Sequence, residues 1–182
     1  MNKALGLIEF SKIPQGIYHL DQINKGNFVT TLYSASVCPG KFIALIEGNL
    51  SAVSQSIEKV QNSSESLIDT FVLGNPSEEL LKGVMGVKGE LMPQESIAVL
   101  EGFTVASLIE AADIALKTAQ VKLIQLKLAR GMCGKSYYII AGNLSEVSHA
   151  LESSKIFLEE KGMYIDSSVI SNPSPETIRS IF

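Results

Sequence analysis

The feature that most constrains this chain is that it states one pattern twice. Residues 41–54, KFIALIEGNLSAVS, return as residues 135–148, KSYYIIAGNLSEVS, at an offset of 94 in a chain of 182. Near the start, Gly6-Leu-Ile-Glu9 matches Ala98-Val-Leu-Glu101, and Asp21 with Lys25 matches Asp113 with Lys117, at an offset of 92. Further on, Ile68-Asp69, Val72 and Asn75-Pro76 match Ile165-Asp166, Val169 and Asn172-Pro173 at an offset of 97. The chain is therefore two copies of one domain. The second copy has gained two residues between positions 27 and 41 and three between 58 and 68. Insertions of that kind belong to loops, because a shift inside a strand turns its buried face outward.

Each half carries the same order of elements. Residues 4–10 form a short apolar run suited to a strand, and after a Pro14-Gln-Gly16 turn, Ile17, Leu20 and Ile23 fall at helical spacing. Residues 28–33 are β-branched and aromatic and predict a second strand, residues 34–40 a loop, and residues 41–46 a third strand. Asn49 or Ser51 can cap a helix whose apolar face is Val53, Ile57 and Val60. A fourth strand over 67–73 and a short helix over 77–82 complete the unit. The second half predicts strands near 96–101, 121–128, 135–141 and 164–170, with helices near 104–118, 145–159 and 174–181. Each half is an α+β sandwich. The glycine-containing segment 85–93 is the joint, which divides the chain into domains 1–89 and 93–182. A half of about 90 residues has a modest core, so burial against its twin and against other chains is expected.

Charged residues make up 19% of the chain, hydrophobic residues 46%, and the formal net charge is -4, which offers a nucleic-acid backbone no basic surface. No apolar run approaches the roughly 20 residues that span a bilayer, and the apolar start is too short for a signal segment, so neither membrane nor nucleic acid is an expected partner. The expected location is cytoplasmic. The two cysteines, Cys38 and Cys133, occupy nearly equivalent places in the two copies, and an intracellular disulfide between them is not expected.

These motifs carry a resemblance. The opening Ala4-Leu-Gly-Leu-Ile-Glu9, the helix pattern from Ala111-Ala112-Asp113 through Lys117, the loop exits Gly40-Lys41 and Gly134-Lys135, and Gly48-Asn49-Leu50-Ser51-Ala-Val53 together resemble the tandem-domain shell proteins of bacterial microcompartments (BMC). The likeness runs through both halves. Val37-Cys38-Pro39-Gly40-Lys41-Phe42 is most similar to the iron-sulfur shell proteins of propanediol-utilisation compartments. The resemblance implies ferredoxin-like α/β sandwiches paired in a chain, three chains in a homotrimer that imitates a hexagonal tile, and other shell proteins as partners. It also implies a central pore lined by the loops between second and third strands: here Ser36, Val37, Cys38, Pro39 and Gly40, with Arg130, Gly131, Met132, Cys133 and Gly134.

A cysteine near such an axis is presented three times, and three thiolates are an anchor for one 4Fe-4S cluster per trimer, with Cys38 supplied by each chain. Pro39 fixes its own backbone angle and Gly40 permits a close turn, so the pair can hold the loop in one shape. Cys133 aligns with Pro39, one place beyond Cys38, and is the candidate additional ligand. The alternative is that Cys38 is a small apolar residue filling a loop and the opening passes a polar metabolite without metal. With a cluster, the tile moves electrons or iron-sulfur units across the shell, and encapsulated redox enzymes become partners.

Lys25 and Lys117 match the family lysine that sits where tiles join, although a lysine in the last turn of a helix is also favoured by the helix dipole. The family's arginine after the fourth strand is replaced by Asn75-Pro76-Ser77-Glu78 and Asn172-Pro173-Ser174-Pro175. Arg130 can attract anions to the pore or pair with a nearby acid. His19 and His149 are not equivalent and are read as surface or helix-face packing residues, not metal ligands. Glu9 and Glu101 sit in first strands, where a structural hydrogen bond or a shell contact explains them. No triad, phosphate loop or dinucleotide motif is present, so an enzyme is not expected.

Overall fold

The computed structural model describes residues 4–26 and 28–181; residues 1–3 and 182, at the outer ends of the two expected domains, and residue 27 lie outside the described residues. Strand β1 (Ala4–Phe10) is buried along its whole length because both faces of its sheet are covered. Ala4, Ile8 and Phe10 face one side, with Phe42, Ala44 and Ile46 of β3 (Lys41–Gly48), under helices α1 (Ile13–Lys25) and α2 (Leu50–Gln61). Leu5, Leu7, Ile43 and Leu45 face the other. This is the period-two alternation of a strand used on both faces. With β2 (Val29–Val37) and β4 (Leu67–Gly74), the sheet is antiparallel in the order β2-β3-β1-β4.

The second domain repeats this arrangement. Strands β5 (Ser96–Gly102), β6 (Lys122–Leu128), β7 (Ser136–Gly142) and β8 (Tyr164–Ile170) form a sheet in the order β6-β7-β5-β8, with helices α4 (Val105–Thr118) and α5 (Leu144–Glu160). Even the register irregularities recur: between Thr31 and Tyr33 and again between Leu123 and Gln125, and after Glu9 and again after Glu101. Short helices α3 (Glu78–Val84) and α6 (Pro175–Ile181) follow β4 and β8. Asn75 and Asn172, each between a last strand and its short helix, have φ of 59° and 49°, a left-handed conformation that asparagine tolerates better than most residues.

One core joins the two halves. Leu5, Leu7, Ile43, Leu45 and Phe71 of the first sheet belong to the same buried cluster as Val105, Leu108 and Ile109 of α4 and Leu126 of β6. The second face of the first sheet is thus closed by α3 and by the second domain, as the modest size of each half requires. The joint is not a free linker. Gly89 donates its N–H to the Ile124 carbonyl at 2.8 Å, and a Cβ on Gly89 would lie 2.3 Å from the Leu123 carbonyl oxygen, so only glycine fits that approach to β6.

Two expectations need correction. The Pro14-Gln-Gly16 segment is the first turn of α1 and not a turn before it: proline is tolerated there because the first helical N–H groups have no intrahelical acceptor. Gly16 is then a helix residue, and a Cβ on it would come within 2.4 Å of the Phe42 ring. Strand β2 continues to Val37, which pairs with Lys41, so Ser34, Ala35, Ser36 and Val37 are strand residues and only residues 38–40 form the connection. Among the described residues no helix is long and apolar enough to cross a membrane.

Candidate functional site

The two loops expected to line a pore meet each other. Cys38 donates its N–H to the Ala129 carbonyl at 3.2 Å, and a Cβ on Gly134 would lie 3.2 Å from Pro39 Cδ and 3.3 Å from the Cys38 carbonyl oxygen. The first loop is a tight connection in which Gly40 (φ 104°) donates its N–H to the Val37 carbonyl at 2.9 Å, and its Cys38-Pro39 peptide bond is cis. The second loop, residues 129–135, is longer and carries a run of left-handed positions: Ala129, Gly131, Cys133 and Gly134, with φ of 51°, 73°, 50° and 89°. Lys135 closes it by donating its N–H to the Met132 carbonyl.

Of the expected lining residues, Ser36, Cys38, Pro39, Gly40, Arg130, Gly131 and Cys133 are exposed, Met132 is half-buried, and Val37 and Gly134 are buried. Val37 packs into the shared core and Gly134 is covered by the first loop, so neither presents a side chain at the opening. Among the described residues Arg130 does not pair with an acid, as one alternative held. Its guanidinium reaches the Tyr33 hydroxyl and lies 5.7 Å from the centre of the Tyr33 ring, joining the domains at the loop rim. Behind it is a recess of about 250 Å³ whose lining includes Tyr33, Gln125, Lys127 and Arg130.

Both cysteines are free thiols at the surface. Thiolate is the donor type of iron-sulfur clusters, and two thiols on adjoining loops suit that chemistry. A single chain does not complete such a site: among the described residues no group of three or more His, Cys, Asp and Glu stands close enough together to hold a metal ion. The donor set therefore fits a cluster where several copies bring their Cys38 together.

Glu9 proves to be the residue that sequence reasoning undervalued. It is fully buried; one carboxylate oxygen takes the Lys41 ammonium at 3.0 Å, and the other accepts the N–H groups of Val105 and Ala106 at 2.9 and 3.3 Å. An acceptor at the N-terminus of α4 satisfies orphan donors and meets the positive end of the helix dipole. Burial raises the Glu9 pKa, against the opposing pull of Lys41 and the two amides. Beside it, Asp69 accepts from the Thr104 hydroxyl at 2.7 Å and from the Ser107 hydroxyl, and Asp113 accepts the Ser77 N–H at 3.3 Å. These contacts bind domain to domain across 35 to 97 positions of sequence. The signal that pointed to them was the repetition of Glu9 as Glu101 and of Asp69 as Asp166.

Lys25 and Lys117 each form an i,i+4 ion pair, with Asp21 and Asp113, in the last turns of α1 and α4. Lys25 is largely exposed and Asp21 half-exposed, whereas Asp113 is buried. His19 is buried and stacked on Phe10, as a packing residue should be, and His149 is exposed.

Comparison with known proteins agrees with this geometry. The BMC domain model matches residues 4–76 and again residues 96–173. The chain is 32% identical over 174 residues to the bacterial microcompartment shell protein PduT of Citrobacter freundii, covering 95% of this chain and 94% of that one. A microcompartment protein from Desulfitobacterium hafniense DCB superposes with a TM-score of 0.87 at 32% identity, over 98% of this chain and 99% of that chain. The double-ringed trimeric shell protein MSM0271 from the RMM microcompartment shares the fold at a TM-score of 0.67 and 15% identity, over 87% of this chain and 83% of that chain. Two family matches in one chain, each centred on a four-stranded sheet with its helices, make this a tandem BMC-domain protein of the bacterial microcompartment shell, a family of structural proteins.

Proposed function

We propose that three copies of the chain form a tile of the shell and that Cys38 of each copy binds one 4Fe-4S cluster at the threefold axis. The observation that carries this reading is the placement of Cys38: a free, exposed thiol at the tip of the β2–β3 connection, held by the Ala129 carbonyl on the neighbouring domain's loop. The extent of the likeness to PduT supports it. Pro39 has no N–H and Gly40 closes the turn, so the loop carries Cys38 on a short connection between two paired strands. Cys133, on the adjoining loop, is the candidate fourth ligand. When bound, such a cluster supplies one-electron chemistry, which at a pore allows electrons to cross the shell toward encapsulated redox enzymes.

The test is iron and sulfide analysis of Cys38→Ser and Cys133→Ser, reconstituted anaerobically beside the parent. Hydroxyl is a much poorer iron ligand than thiolate, and one substitution removes all three anchors. Cys38→Ser is expected to lose the iron, the sulfide and the iron-thiolate charge-transfer colour while keeping the parental mass. Cys133→Ser is expected to keep most of the iron. Parental iron in Cys38→Ser sinks the cluster. It then favours a second reading supported by the exposed Arg130 at the loop rim, in which the opening passes a small polar metabolite.

A further inference from the structure

The junction inside the chain is a template for one the single chain leaves open. The sheet face and the helix that meet in that junction each have a counterpart that is left uncovered among the described residues. The face of the first sheet bearing Leu5, Leu7, Ile43 and Leu45 is closed by α3 and α4. Its counterpart is an apolar groove of about 550 Å³ whose walls include Ile97, Val99, Tyr137, Ile139, Ile170 and Ile181. On the other side of the comparison, Ile109 of α4 is fully buried in the junction, while its counterpart on α1, Ile17, is 55% exposed. Likewise Val84 of α3 is 5% exposed and its counterpart Ile181 of α6 is 36% exposed. A bare groove and a bare helix that repeat the two halves of an existing contact fit each other.

We infer that this groove seats α1 of a second copy of the chain, and that Lys12 of that copy pairs with Asp166 where, inside the chain, two hydroxyl groups and the more distant Lys161 ammonium face Asp69. The inference rests on the assembly proposed above and adds the chemistry that closes it. Under the repeat, Asp166 stands for Asp69, and Lys12 and Gln15 stand for Thr104 and Ser107. Asp69 accepts two hydroxyl hydrogen bonds, with the Lys161 ammonium 3.8 Å from its other oxygen; at Asp166 an ammonium and an amide replace the two hydroxyl groups. Glu101, with Lys135 at 2.8 Å, stands for Glu9 with Lys41, and accepts the N–H of Ile13 in place of that of Val105. Pro14 stands for Ala106 and has no N–H, so Glu101 receives one backbone donor where Glu9 receives two. Lys12 at the N-cap of α1 makes no side-chain capping bond within the chain, and both Lys12 and Asp166 are exposed there. The ion pair offsets the missing donor and makes the contact between chains sensitive to salt.

The test uses the full chain: Lys12→Glu, Asp166→Lys and the double exchange, measured by sedimentation equilibrium over a range of protein and salt concentrations. Both residues are exposed in the single chain, and thermal melts of the variants confirm that the domains fold as in the parent. Each single variant is expected to raise the protomer concentration at half-dissociation by about tenfold or more, and the double exchange to restore most of it. The parental trimer is expected to weaken as salt rises. Single variants that associate as the parent does, or a double exchange that restores nothing, overturn the pairing while leaving the tile intact. A parent that is monomeric at every concentration and salt level overturns the assembly itself.

Discussion

His19 shows how one buried side chain sets a pH response. Its ring stacks on Phe10 with centroids 5.6 Å apart and planes 9° from parallel, and Tyr18 meets it edge-on at 5.3 Å. Burial holds its pKa below the ordinary 6.5. Above 6.5 the imidazole is neutral in both the folded and the unfolded chain, and its contribution to stability is fully present. As pH falls below 6.5 the unfolded chain takes up the proton first, so stability is lost until the pH has passed through the lower folded value. Glu9 acts in the opposite sense: its pKa is raised above 4.5, so its contribution is present below 4.5 and lost as pH rises through the folded value. Replacing His19 by Gln is expected to lower stability at neutral pH through the lost stacking, yet to reduce the further loss on acidification. Denaturant midpoints taken from neutral pH to below 6.5 check this, since Glu9 is common to both proteins. An equal fall in both would show that His19 does not carry the response.

At the scale of elements, the repeat offers internal controls. Asn49 caps α2 by accepting the Ala52 N–H at 2.8 Å, whereas Asn143, its counterpart on α5, makes no side-chain capping bond. Asn49→Ala is therefore expected to cost about 1 kcal/mol and Asn143→Ala distinctly less. Equal losses by denaturant unfolding would show that the caps do not differ in this way. The element order was legible because each strand is a short apolar run and each long helix carries an apolar stripe, both of which are local signals. The end of β2 was not. Ser34, Ala35 and Ser36 have the composition of a turn, but their ladder partners on β3, from Ala44 to Phe42, keep them extended, and that pairing is a property of two segments. Pro14 misled for a related reason: proline marks a boundary equally well as the residue before a helix and as a residue of its first turn. The cysteine at the loop tip was legible from a motif; its contact with Ala129, 91 positions away, was not, because no periodicity reports where two loops meet.

At the scale of the whole molecule, substitutions at Lys25 and Lys117 test whether contacts within a tile are separate from contacts between tiles. Each is the last-turn lysine of its helix and pairs with an aspartate four positions earlier, so neither reaches into the sheets or the shared core. Truncating either to alanine is expected to leave the mass of the assembled protein unchanged and to weaken the growth of flat sheets, seen by electron microscopy as fewer and smaller arrays. The two sites should differ in one respect. Asp113 is buried and also holds the Ser77 N–H, so Lys117→Ala leaves a buried carboxylate without its cation and lowers the melting temperature as well. Asp21 is half-exposed in the single chain, and water compensates it when Lys25 is removed. Lys25→Ala is therefore the cleaner test of the expected contact between tiles. Sheets that form from Lys25→Ala as from the parent would place that lysine away from the rim. A Lys25→Ala protein that no longer holds the parental mass would instead put Asp21 inside the junction between chains, where its counterpart Asp113 already stands within one.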